Sequence, residues 1–212
     1  MIRAQYASHV ITLAVTGMGT ANADAAIRTL LDEFKPDTVL SMGFGGALAP
    51  MLRVGDVVVG ERASLVSEHG LEKSLRIPDG RAVVDDITTA LRVSSGHILT
   101  MAKPMKKNEL RRFAGEGEAA VCDMETFPLA ARAGEKGIRF VAARVVTDGP
   151  NEEIPPEFFN VVGNSGEYRL AYAARLFARK PSLIPAAARL ALRSRRASRN
   201  LRHFFDALVR VL

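Results

Sequence analysis

The chain has a single cysteine, Cys122, so it has no internal disulfide framework, and a reducing cytoplasm suits it. It has no tryptophan, and only 6% of its residues are aromatic. With few aromatics in the basic C-terminal part and no recognised nucleic-acid module, nucleic-acid binding ranks last among the candidate activities. No apolar run reaches the length of a bilayer span. The opening stretch, MIRAQYASHVITLAVTG, has too short an apolar core for a signal peptide and lacks a small-residue cleavage pattern. A soluble, cytoplasmic protein is expected. His9, His69, His97 and His203 are scattered without metal-ligand spacing, so no metal is expected. There is no Gly-Lys-Ser/Thr stretch of the phosphate-cradling type and no nucleophile elbow around a serine.

The 212 residues are 48% hydrophobic, enough to bury a sizeable core, and one domain over 1–212 is the default. The net charge of +6 is unevenly spread. Residues 166–212 hold ten arginines and one lysine against two acids, a net +9, whereas residues 1–165 hold 18 basic and 21 acidic groups, a net −3. Such an Arg-rich segment can favour phosphates or an anionic lipid surface. A solvated arginine face is the plainer reading and carries more weight.

Short β-branched runs alternate with helical patterns, which predicts an α/β protein: one domain, three layers, with a central mixed but mostly parallel sheet between helices. Strands are predicted at 10–15, 38–42, 56–59, 97–101, 119–122 and 138–146, the last the clearest buried strand. Helices are predicted at 22–34, 84–92, 106–113, 124–136 and 166–180, followed by a final helical stretch to Leu212. In that stretch Leu190, Ala197, Leu201, Phe204, Leu208 and Val211 recur at helical spacing. Gly43-Phe44-Gly45-Gly46 is expected to break the 38–42 strand sharply, and 66–82 to form a loop or β-excursion.

Ligands of open α/β sheets sit beyond the carboxyl ends of the strands. Three features fall at such ends: Gly43–Gly46, Asp123-Met124-Glu125 and Thr147-Asp148. Each has a plain structural explanation. The glycines can simply turn the chain, Asp123 can cap a helix, Glu125 can face the helix dipole, and Asp148 can form a turn. Their shared placement favours chemistry. Cleaving a glycosidic bond needs one carboxylate to hold the sugar hydroxyls and one carboxylic acid to protonate the leaving base. Burial at a strand end is a suitable way to raise the acid's pKa. Thr16-Gly17-Met18-Gly19-Thr20-Ala21-Asn22 starts like a dinucleotide fingerprint, but Asn22 stands where the third glycine or alanine belongs. Cys122 reads as a small core residue.

The stretches at 16–23, 41–48 with 54–59, 123–126 and 144–148 resemble, in order, the signatures of the nucleoside phosphorylase superfamily. The likeness is strongest to its nucleosidase and hopanoid-associated phosphorylase-like branches, and it runs from about residue 10 to the C-terminus. The resemblance implies that Met124 packs on the sugar, Glu125 binds ribose hydroxyls, and Gly43 and Phe44 line the ribose and nucleophile side. It also implies that Asp148 serves N7 of a purine, and that Asp123 belongs to the same binding motif. Arg144 reads equally as a salt-bridge partner and as a site residue. Phosphate-using relatives place an arginine and a serine where this chain has Ser41 and Phe44. Water is therefore favoured as nucleophile, with phosphate as co-substrate only in the rival phosphorolytic reading. Relatives begin with a further strand and helix, and about fifteen residues precede Gly17 here, so that N-terminal strand is expected to be missing.

The sequence thus predicts a purine-type nucleosidase without cofactor, acting on a small nucleoside and associating as a homo-oligomer, as relatives do. A nucleoside-binding protein without turnover is the rival, motivated by the short N-terminus. The hopanoid-branch resemblance extends the candidate substrates to a lipid-linked adenosine, with peripheral membrane contact through the Arg-rich segment. Asp148→Asn is expected to lower turnover with little loss of fold.

Overall fold

The computed structural model describes residues 1–161 and 169–212. The chain opens with β1 (Ile2–Tyr6) and β2 (His9–Leu13), then α1 (Thr20–Phe34), β3 (Thr38–Ala47), β4 (Val57–Ser67) and β5 (Gly70–Arg76). It continues with α2 (Gly80–Asp86), β6 (Val93–Met101), α3 (Lys107–Arg111), β7 (Ala119–Asp123), α4 (Thr126–Glu135) and β8 (Arg139–Asp148). The short α5 (Pro156–Phe159), α6 (Leu170–Arg179), a 3-10 turn and α7 (Ile184–Leu208) complete it. The first residues of the helix predicted at 166–180 lie outside the described residues.

The predicted α/β class and mixed sheet are found. Six strands run in the order β5-β4-β6-β7-β3-β8. The pairings β3/β8, β4/β6 and β6/β7 are parallel, and β4/β5 is an antiparallel hairpin. Two short antiparallel contacts, β3/β7 and β4/β8, curl the sheet until β4 meets β8 and the strands close into a ring.

β8 shows why the sequence reads as one continuous apolar run. Alternate residues of a strand face opposite sides. Phe140, Ala142 and Val146 pack with Ala23, Ile27 and Leu31 of α1 and Phe127, Ala130 and Ala133 of α4. Val141, Ala143 and Val145 pack with Ala197, Phe204 and Leu208 of α7. Both faces are covered, so both must be apolar. Arg144 shares the parity of Phe140 and Ala142, which turns it inward on the α1/α4 side. The register shift before Asp148 breaks this alternation and sets Asp148 beside Cys122 and Lys107 of α3 instead.

Four expectations need correction. The 10–15 strand is β2, and it pairs with β1 in a separate two-stranded ribbon instead of joining the central sheet. A two-residue turn in which Ala7 adopts φ 51 lets the two segments pair locally. The glycines 43–46 do not end β3, which runs on to Ala47 with a register shift between Gly45 and Gly46. Their missing side chains admit neighbours: a Cβ on Gly45 would stand 3.2 Å from both Arg144 Cβ and the Cys122 carbonyl oxygen. The helix expected at 84–92 is α2, which starts earlier and stops at Asp86, where Ile87 turns extended. The strand expected at 56–59 continues to Ser67, because β6 runs parallel to it as far as Val66 and β5 folds back along its second half.

Candidate active site

The carboxyl ends of β3, β7 and β8 meet. Gly46 is the cross-strand neighbour of both Cys122 and Asp148. A Cβ on Gly46 would lie 2.8 Å from Asp148 Oδ2, 3.0 Å from Lys107 Cε and 3.1 Å from Cys122 Sγ, so only glycine fits there. Burial pushes the Cys122 thiol up to about 12, and the Lys107, Asp148 and Asp123 charges all act on it. It is an inert thiol between the two acidic centres of the site.

Asp148 is 3% exposed. Its Oδ1 accepts from Thr147 Oγ1 at 2.7 Å, and its Oδ2 accepts from the Lys107 ammonium. Lys107 begins α3, is itself 4% exposed, and also donates to the Gly149 carbonyl at 2.6 Å. The expectation of a buried carboxyl at a strand end is met, with a lysine ammonium sharing its enclosure. The loop after β8 is clamped from two sides. The Lys107 amide donates to Glu153 Oε1 at 3.0 Å, and Arg111 donates to the Pro150 carbonyl and to Asn151 Oδ1. From the other side Arg193 of α7 pairs with Glu152, whose carboxylate also accepts from the Gly149 amide at 2.8 Å.

Asp123 is saturated by protein partners. Oδ1 accepts from Thr100 Oγ1 at 2.7 Å; Oδ2 accepts from the Thr126 amide at 3.0 Å, from its hydroxyl, and from Arg144 Nε at 2.8 Å. Arg144 is 3% exposed, pairs with Asp123, and donates to the Ser41 carbonyl and hydroxyl, each at 2.9 Å. The buried charges of Asp123 and Arg144 thus lock β7, β8, β3 and the start of α4 together. Of the two readings of Arg144, the salt bridge is what the structure contains.

Glu125 stands at the N-terminal boundary of α4, half-buried. Its Oε1 accepts from the Gly19 amide at 2.7 Å, a free donor at the N-terminus of α1. Gly19 has φ +98, a conformation that L side chains rarely adopt, and it brings the 16–19 loop onto the site. Burial, then the charge of Asp123, raises the Glu125 pKa above the ordinary value, against the opposing pull of the Gly19 amide and Arg144. Met124 is half-buried beside it, and Phe44 is 42% exposed. Gly43 lies over the Arg144 guanidinium, where a Cβ would meet its nearest atom at an ordinary 3.8 Å.

Sequence reasoning missed Lys107 and Thr100, and it named Gly19 only within the 16–23 stretch, without its bond to Glu125. Lys107 stands in a run of surface-like charges, Met105-Lys106-Lys107-Asn108-Glu109, and nothing local marks it as the buried one. Among the described residues, no group of three or more His, Cys, Asp or Glu side chains could hold a metal ion.

Residues 1–177 match the phosphorylase superfamily. The chain is 29% identical to the 5′-methylthioadenosine/S-adenosylhomocysteine nucleosidase of Exiguobacterium sp. strain AT1b, over 78% of this chain and 81% of that protein. It resembles the structure of the same-named nucleosidase from Neisseria meningitidis in complex with methylthio-immucillin-A, with a TM-score of 0.70 and 19% identity over 99% and 85% of the two chains. It also resembles native futalosine hydrolase of Helicobacter pylori, with a TM-score of 0.67 and 15% identity over 99% and 83%. These two likenesses concern the fold, and the two differently named enzymes share it. With most of its length matched by one family, and with the signature stretches meeting at the ends of β3, β7 and β8, the chain belongs to the phosphorylase superfamily.

Proposed function

We propose that this chain cleaves the N-glycosidic bond of a purine-type nucleoside, with water as the nucleophile. The observation that carries the reading is the pair of carboxyls in different enclosures. Asp148 has a lysine ammonium at one oxygen, and Glu125 has backbone amides, that of Gly19 at Oε1 and, at 3.4 Å, that of Met124 at Oε2. Glu125 accepts from the ribose hydroxyls and faces the positive charge that grows on the sugar as the C1′–N9 bond breaks. The bonding electrons leave with the purine, and Asp148, with Lys107 as the adjacent proton source, places a proton on N7. Water adds to C1′ and gives up a proton to the solvent, which balances the proton delivered to N7, so the products are the free base and the sugar with a hydroxyl at C1′. Met124 packs on the sugar, and Gly43 and Phe44 line its other side. Asp123 serves the site indirectly by holding Arg144 and the first turn of α4.

Hydrolysis is preferred to phosphorolysis because the Ser41 hydroxyl is 2.9 Å from Arg144 Nη2 in a buried pairing, and Phe44 offers phosphate no donor. The relative from Exiguobacterium points to 5′-substituted adenosines as the first substrates to try. A cytoplasmic homo-oligomer is part of the same proposal. A second reading, a nucleoside binder with little turnover, has one observation in its favour: Thr147 and Lys107 already occupy both oxygens of Asp148.

Free-base release from a panel of purine nucleosides, with and without phosphate, tests the proposal. Release independent of phosphate is expected. Release that requires phosphate replaces water by phosphate. Adenosine binding seen by calorimetry without any base release selects the binder.

A further inference from the structure

α7 is a 25-residue helix with six arginines and one acid, Asp206. Its inner face is settled by packing: Ala197, Phe204 and Leu208 are buried, and Leu190 and Leu201 are half-buried at the same helical spacing. The opposite face carries two zones in series. Ile184 and Leu192 stand exposed near the start, Leu192 at 66%. Arg195, Arg199 and Arg202 follow at i, i+4 and i+7, all exposed and therefore on one line. From Ile184 to Arg202 this line runs roughly 27 Å along the helix. Among the described residues, no carboxylate lies within ion-pair distance of Arg195, Arg199 or Arg202, whereas Arg193 on the inner side does hold Glu152. Among the described residues this cationic face thus has no ion-pair partner.

We infer that this outer face of α7 seats the protein on an anionic lipid surface. Arginine stems lie along an apolar boundary while their guanidinium groups bind headgroup phosphates, and exposed aliphatic side chains enter the acyl boundary. Ile184 and Leu192 supply the aliphatic contact at the N-terminal end, and the three arginines supply the headgroup contact beyond it. Polybasic faces gain affinity with each cation brought to such a membrane and lose it with salt. A nucleic-acid backbone would use the arginines but leave Ile184 and Leu192 without a partner, and no Phe, Tyr or Trp stands on this face to stack on bases. No described helix is long and apolar enough to cross a membrane, so the contact is a surface one.

Sedimentation of the 212-residue chain with phosphatidylcholine vesicles, with and without phosphatidylglycerol, is the test. Binding is expected only to the anionic vesicles, and it should weaken as salt rises. Each arginine is worth about fivefold in partitioning, so R195A/R199A/R202A should bind about 100-fold more weakly. Because these side chains make no ion pair with any described residue, the triple variant should keep its far-UV circular dichroism and melting temperature. L192N should weaken binding while leaving its salt dependence unchanged. Equal sedimentation with neutral and anionic vesicles, or a correctly folded triple variant that binds like the parent, overturns the inference. So does tight binding of a duplex oligonucleotide that L192N leaves intact while vesicles fail to bind, which assigns the face to nucleic acid.

Discussion

The Lys107 ammonium donates to Asp148 Oδ2 where both side chains are all but sealed from solvent, 4% and 3% exposed. A buried pair is costly to break from one side, since the survivor keeps its charge and loses its partner; the typical penalty is about 3–5 kcal/mol. Lys107→Met and Asp148→Asn should each lower unfolding free energy by that order in urea titrations. The structure therefore revises the expectation that Asp148→Asn leaves the fold almost untouched. The double variant removes both charges and should recover much of the stability, but base release should stay orders of magnitude below the parent. Single variants that cost under about 1 kcal/mol would remove the pair from the stability of the site.

Gly46 stands against that pair, and the contact distances make a second prediction. A methyl group there would meet Asp148 Oδ2 at 2.8 Å and Lys107 Cε at 3.0 Å, with Cys122 Sγ at 3.1 Å on the third side. None of the three can retreat easily, since Asp148 and Cys122 sit in paired strands and Lys107 is held by its bonds to Asp148 and Gly149. Gly46→Ala should cost about 1–3 kcal/mol of stability and about 100-fold in turnover by displacing Asp148. Gly43→Ala is the control. Its nearest neighbour would be 3.8 Å away, and the change should stay within about 0.5 kcal/mol.

These neighbours also show how far the sequence could be read. β8 was legible because two covered faces make an unbroken apolar run, and α7 because its inner residues recur at helical spacing. The meeting of Gly46, Cys122 and Asp148 was foreseen only as three strand ends; the register that joins them is a property of pairing between segments far apart in the chain. Lys107 was illegible. Its burial depends on α3 docking over the end of β8, and no local pattern separates it from Lys106. β2 misled because a strand-like run says nothing about which strand it will pair with, and the two-residue turn at Ala7 favours the nearest one.

His97 links stability to pH. It is 1% exposed; its Nδ1 lies 3.1 Å from Arg62 Nη2, and its Nε2 lies 2.8 Å from Ser64 Oγ. A guanidinium can only donate, so Nδ1 accepts and Nε2–H donates to Ser64. Burial, then the Arg62 charge, lowers the His97 pKa from 6.5 to about 4. The unfolded chain takes up the proton near 6.5 and the folded one only near 4. The stabilisation is thus complete above 6.5 and drains away as pH falls toward 4, by on the order of 3 kcal/mol. Urea titrations across this range should show the loss, and His97→Gln should flatten it. An unchanged slope in the variant would assign the acid sensitivity to other groups.

Glu125 makes the substrate's own test of the site. Ribose hydroxyls donate, so only the carboxylate form can accept from two of them at once. Burial and the neighbouring Asp123 charge raise the Glu125 pKa, so the carboxylate is lost at a higher pH than an exposed glutamate would lose it. For the parent protein, KM should begin to rise while the pH is still above the ordinary glutamate range, and kcat should fall with it. The second effect follows because the lost charge also faces the developing sugar cation. Glu125→Gln should remove this bend and depress kcat/KM at every pH, while the amide from Gly19 still finds an oxygen to bond. The His97 transition can be told apart, because it moves unfolding free energy in the absence of substrate. A parent profile without the bend, or a variant that keeps it, would take the ribose-binding role from Glu125.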